Sequence, residues 1–179
     1  MGSGLRVLGS QILCKGPKFY VLREELELPG GKGTKQRDSV MHPGAAVFAP
    51  QLADGRLVLV RQYRYAMKAQ VLEFPAGTLD SNEDPLACAQ REIQEEVGLR
   101  AEEWLPLGTS IPAPGICNEV QHFYLARNLS DSRLAGDEDE DIEVVKMSVR
   151  EVEAALTAGE IQDGKTMALF LRARLRGLL

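Results

Sequence analysis

The chain alternates between two kinds of apolar pattern. Residues 19–28 alternate well enough for a strand, and Pro29, Gly30 and Gly31 then mark a turn. Residues 36–41 are the expected hairpin partner. Residues 45–52 are almost continuously apolar, and Ala53, Asp54 and Gly55 turn the chain into residues 56–63, rich in Val and Leu. Such a pair predicts a central hairpin. Further short strands are expected over residues 104–110, 121–126 and 143–147. Helical periodicity returns over residues 149–158 and 166–175. Strands interleaved with a few helices predict an α/β fold, a mixed sheet covered on both sides.

One more helix is the best marked of all. Asp84 is a good N-cap, because its carboxylate can accept a bond from an orphan backbone N–H. Pro85 follows at the first helical position, and Gly98 sits after Val97, where a left-handed residue ends a helix. Between them Leu86, Ala89, Ile93 and Val97 form an apolar stripe. Beside that stripe stand Glu92, Glu95 and Glu96, spaced i, i+3 and i+4, which places three carboxylates on one face. Like charges so close cost stability unless a cation sits among them. Hard oxygen donors of this kind suit Mg²⁺ or Mn²⁺. Alone, three glutamates on a helix describe an ordinary solvated face.

The flanking residues change that reading. Gly77, Glu83, Arg91, Glu92, Glu95, Glu96, Gly98 and two aliphatic positions resemble the Nudix box without departure at any motif position. The resemblance extends from about Arg37 to Val145. It implies the Nudix α/β/α sandwich over residues 43–179, preceded by an N-terminal β segment, residues 1–42, used in dimerisation. By motif position it makes Glu92 and Glu96 direct metal ligands. Glu95 would be a further ligand or act through water, and the Ala76 carbonyl would complete the site. Arg91 and Glu83 would hold the box in shape through charge-assisted bonds.

Substrate choice is sought outside the box. Pro114, Gly115 and Glu119 resemble an element of the ADP-ribose pyrophosphatase subfamily. The same resemblance places Arg37 and Arg64 near substrate phosphates, where a guanidinium fork suits the oxygens. It makes Glu73 a nucleoside- or ribose-binding residue and lets Glu119 reach the terminal ribose. The acidic run 136–141 resembles the loop that supplies the base, with Glu138 and Glu140 as candidates and Glu140 first. The expected reaction is Mg²⁺-dependent hydrolysis of ADP-ribose to AMP and ribose 5-phosphate. A broader nucleoside diphosphate sugar hydrolase, acting on ADP-glucose or GDP-mannose, is the alternative. A module that binds ADP-ribose without cleaving it is a second alternative.

Composition narrows the field. With 179 residues and 44% hydrophobic content the chain can build a full core. A net charge of −5 offers no basic footprint for nucleic acid. No apolar run reaches spanning length, so no membrane role is expected. Cys14, Cys88 and Cys117 are odd in number and lack zinc spacing, which suits a reducing cytoplasm. The resemblance also implies a homodimer in which Arg37 serves the partner's site.

Overall fold

The computed structural model describes residues 5–135 and 141–179. Among the described residues, ten strands form three sheets, flanked by three α-helices. Strands β1 (Arg6–Lys15), β2 (Tyr20–Glu27) and β3 (Thr34–Met41) make an antiparallel meander. Strand β4 (Ala45–Pro50) lies between β7 (Ala76–Thr78), antiparallel, and β9 (Gln121–Asp131), parallel. Strand β8 (Leu99–Ser110) completes that mixed sheet against β9. Strand β5 (Leu57–Arg64) is central in the third sheet, between β6 (Ala69–Glu73) and β10 (Ile142–Met147).

Strand β4 and the first half of β5 are buried on both faces because they carry apolar side chains at consecutive positions. Along β4, Val47 and Ala49 join one core, while Ala46 and Phe48 join another. Along β5, Leu57 and Leu59 divide from Val58 and Val60 in the same way. Helices α2 (Val149–Ala158) and α3 (Gly164–Leu175) cover the first core through Val152, Ala155, Leu169 and Phe170. Helix α1 (Pro85–Glu92) covers the second through Cys88 and Ala89, and Ile93 continues its packing. The result is the expected α/β/α sandwich. Each large apolar side chain so buried contributes about 1.5–3 kcal/mol.

Several sequence expectations need correction. Strands β4 and β5 are not a hairpin. They share one bridge, Gln51 with Leu57, and then diverge into different sheets. Each is flanked on both edges by other strands, and its two-sided apolar pattern is met by a core on each face. Strands β1, β6 and β7 carried no clear alternation and escaped prediction. In β1 the apolar residues come as adjacent pairs, Val7–Leu8 and Ile12–Leu13, and every residue of the strand is exposed. The acid-bearing helix is α-helical only to Glu92. Residues Ile93–Val97 widen into a π turn, closed by the Gly98 N–H donating to the Ile93 carbonyl. Gly98 has φ 73°, the left-handed conformation expected of it. Turns of this kind are often found at functional sites.

Candidate active site

The approach to α1 is held by its own acids. Asp80 N–H donates to Glu83 Oε2 at 2.9 Å, and Asp84 Oδ2 accepts from the Leu86 and Ala87 amides at 3.0 and 3.1 Å. One turn later Arg91 gathers the cluster. Its Nε and Nη2 donate to the two oxygens of Glu83 at 3.1 and 3.2 Å. Its Nη1 donates to Glu92 Oε1 at 2.8 Å and Glu95 Oε2 at 2.7 Å. The hydrogen bond with Glu83 is the main reason the guanidinium is held more firmly protonated than usual, with Glu92 and Glu95 adding to it. In return the Arg91 bond holds Glu83 below the ordinary carboxylate value. Cys88 lies under this cluster, its thiol facing the Gly77 and Thr78 carbonyls at 3.7 Å. Burial, then the charge of Glu83, pushes that thiol up to about 12.

Strand β7 brings the other half of the site. The Ala76 amide donates to Glu96 Oε2 at 3.1 Å, and Glu96 is only 6% exposed. The π turn thus directs this acid inward against β7, away from the solvated face that an amphipathic helix would give it. A Cβ built on Gly77 would stand 2.1 Å from Glu92 Cγ and Cδ. Glycine is required there by the close approach of the carboxylate, not by backbone angle. Ala76, Gly77, Thr78, Asp80, Arg91, Glu92, Glu95 and Glu96 border one cavity of about 460 Å³, together with Lys18 and Arg64.

The oxygen donors fit a hard divalent cation, since Glu92, Glu95 and Glu96 meet at one polar cavity beside a backbone turn. Among the described residues no group of three or more His, Cys, Asp or Glu side chains is placed to hold a metal ion as it stands. Arg91 instead holds Glu92 and Glu95 together, and so offsets part of their mutual repulsion.

A second ionic cluster lies at the end of β6. Glu73 is 1% exposed. Arg64 Nε donates to its Oε1 at 2.6 Å, and Lys165 from α3 pairs with its Oε2. Lys165 also pairs with Asp163 Oδ1 at 3.0 Å. Burial works against the charge on Arg64, but the Glu73 bond and its Coulomb attraction outweigh this, and the guanidinium is held above its usual value. Asp163 caps α3 by accepting from the Thr166 amide at 2.8 Å. Thr166 Oγ1 in turn accepts from the Phe74 amide at 2.8 Å. The first turn of α3 therefore grips the chain at residues 73 and 74, two residues before Ala76.

The structure treats the expected substrate residues unequally. Arg64 reaches the acid cavity. Glu73 was expected to touch substrate; its Oε1 pairs with Arg64 and its Oε2 with Lys165, and it does not border the acid cavity. Arg37 is exposed on β3, its Nη1 donating to the Gln36 carbonyl at 3.3 Å. Glu119 accepts from Gln121 Nε2 at 3.1 Å. Neither borders the acid cavity. Glu138 and Glu140 lie outside the described residues. On either side of them, the Leu134 amide donates to the Gln94 carbonyl at 3.2 Å, and Ile142 pairs with Gln62 on β5.

Two lysines were missed. Lys165 had no signal, because its partner is 92 residues away. Lys18, in the turn between β1 and β2, borders the acid cavity and an adjoining one of about 530 Å³. Phe19, Tyr20, Met41, His42 and Asn118 help line this second cavity, and Thr78 and Asp80 are shared by both.

Comparison with known proteins agrees with this geometry. The NUDIX domain family model matches residues 40–170. An ADP-ribose pyrophosphatase of Bacillus subtilis (strain 168) is 34% identical over 163 residues, covering 90% of this chain and 88% of that protein. A GDP-mannose pyrophosphatase of Yersinia enterocolitica is 34% identical over 145 residues, covering 76% of this chain and 75% of its own. The crystal structure of an ADP compounds hydrolase superposes with a TM-score of 0.82 at 22% identity, covering 98% of this chain and 97% of that one, a likeness of fold.

Proposed function

Since the chain belongs to the Nudix family, we propose that it is a pyrophosphohydrolase that uses Mg²⁺, or Mn²⁺, to cleave ADP-ribose into AMP and ribose 5-phosphate. The observation that carries this reading is the surplus of carboxylates around one polar cavity, which shares Lys18, Thr78 and Asp80 with a neighbour lined in part by Phe19 and Tyr20. The first suits a metal-bound diphosphate and the second a nucleoside. The relatives named for ADP-ribose and GDP-mannose hydrolysis support the substrate class. An intact set of box acids supports turnover over mere binding of the nucleotide.

In this reading Glu92 and Glu96 hold the metal, with Glu95 and the Ala76 carbonyl completing its surroundings. The bound cation would neutralise diphosphate charge and lower the pKa of water. Arg91 and Glu83 keep the acids at their spacing, and Gly77 leaves room for Glu92. Arg64 takes a phosphate oxygen at the cavity wall, fixed from behind by Glu73. Glu140, or else Glu138, removes the proton from the attacking water. One water is consumed, and its oxygen ends on one of the two phosphate products.

We further infer a cytoplasmic homodimer. The exposed apolar residues Val7, Leu8 and Ile12 of β1 favour pairing through the N-terminal sheet. Arg37 and Glu119 would then complete the partner's site and the ribose end of the substrate. No described helix is long and apolar enough to cross a membrane, and all three cysteines are free. The test is product analysis with Mg²⁺ and equal concentrations of ADP-ribose, ADP-glucose and GDP-mannose. Fastest release of AMP and ribose 5-phosphate from ADP-ribose is expected. Preference for a hexose nucleotide would move the chain to the broader sugar-nucleotide hydrolases, and no turnover of any of the three would overturn the enzymatic reading.

A further inference from the structure

The buried cluster at the end of β6 contains a cation that the reaction as described does not use. Glu73 is almost fully buried and has one partner on each carboxylate oxygen, Arg64 on Oε1 and Lys165 on Oε2. Arg64 commits its Nε to this bond and also borders the acid cavity, so the same guanidinium faces two anionic environments. Without a second cation, Glu73 would draw the guanidinium fork onto itself, since a buried carboxylate must be neutralised nearby. Lys165 supplies that cation. It is held in place by Asp163, which also caps α3 and, through Thr166, fixes the Phe74 amide.

We propose that Lys165 is a positioning residue: by satisfying half of Glu73 it leaves Arg64 turned toward the cavity, where Arg64 meets the diphosphate. The inference rests on the pyrophosphohydrolase reading and not on the identity of the sugar or base. Lys165 acts at the first turn of α3, the same turn that grips the segment leading to Ala76 and Gly77. It therefore couples the register of α3 to Glu73 and, through Glu73, to Arg64.

The experiment measures binding of inorganic pyrophosphate with Mg²⁺ by calorimetry, alongside kcat and KM, for wild type, K165M, K165R and E73Q/K165M. For K165M, pyrophosphate binding about tenfold weaker and a KM raised by about the same factor are expected, with kcat changed less. K165R should recover most of the affinity. The double variant should bind better than K165M, because removing the Glu73 charge releases Arg64. It also keeps the test alive should K165M alone fail to fold. Wild-type affinity in K165M would overturn the proposal, as would a double variant no better than K165M or than an unfolded single one. Inorganic pyrophosphate carries neither sugar nor base, so a chain that prefers GDP-mannose to ADP-ribose still yields the same comparison.

Discussion

Two ionic clusters stand on either side of residues 73–77, and they are built on opposite principles. Around Arg91, Glu83, Glu92 and Glu95 share one guanidinium, and Glu96 adds a fourth carboxylate at the same cavity. At the end of β6, two carboxylates, Glu73 and Asp163, meet two cations, Arg64 and Lys165. The balanced cluster is built on a buried carboxylate, Glu73, with its charges paired, and reaches the acid cavity only through Arg64. The unbalanced one borders a cavity and brings together more carboxylates than cations, with Lys18 and Arg64 at the cavity wall, an arrangement that suits a divalent cation. Charge surplus thus marks the chemistry, while charge balance marks the support behind it.

The most severe way to break this contrast is to remove an acid from the surplus side. Glu96→Gln should lower turnover by at least about 10²–10³-fold while the melting temperature stays close to wild type. Unchanged turnover would remove Glu96 from the metal site. Gly77→Ala tests the same site sterically. The added methyl would meet Glu92 at 2.1 Å, so the carboxylate or β7 must shift. We expect about 1–3 kcal/mol of destabilisation by denaturant titration and a clear loss of turnover.

Arg91→Met sharpens the comparison by raising the surplus further. Loss of the bonds to Glu83, Glu92 and Glu95 should cost about 1–3 kcal/mol, moderated by the partial exposure of the site. A related effect depends on pH. Arg91 holds Glu83 below its ordinary value of 4.5, so the folded state binds that proton more weakly than the unfolded chain does. The stabilisation is complete above pH 4.5 and fades as pH falls through the lower folded value. Glu83→Gln should flatten this acid limb of the stability curve, and an unchanged limb would contradict the pairing. The smallest effect concerns Cys88. With its thiol pushed up to about 12 by burial, it should resist thiol reagents at pH 8 while exposed Cys14 reacts.

The contrast also explains what could be read in the sequence. The acid helix was legible because its cap, its glycine stop and its carboxylate spacing are all local. Helix α2 was legible to the residue from its periodicity, and the structure adds a capping box of Ser148 and Glu151 at its start. The balanced cluster was not legible, because Lys165 and Glu73 meet only through tertiary packing. The β4–β5 error has the same origin. A strand apolar at every position declares its burial but does not name its neighbours. Gly77 was seen as a motif position, and only the structure shows that the side chain of Glu92 fills the space a Cβ would need.

The central claim is that the surplus cluster, and not the balanced one, holds the metal. Titration of Mn²⁺ into wild type, Glu96→Gln and E73Q/K165M tests it most directly. The account predicts that Glu96→Gln weakens Mn²⁺ binding by at least about tenfold, while E73Q/K165M stays within about twofold of wild type. Retained affinity in Glu96→Gln, with loss in E73Q/K165M, would place the metal in the other cluster and contradict the account.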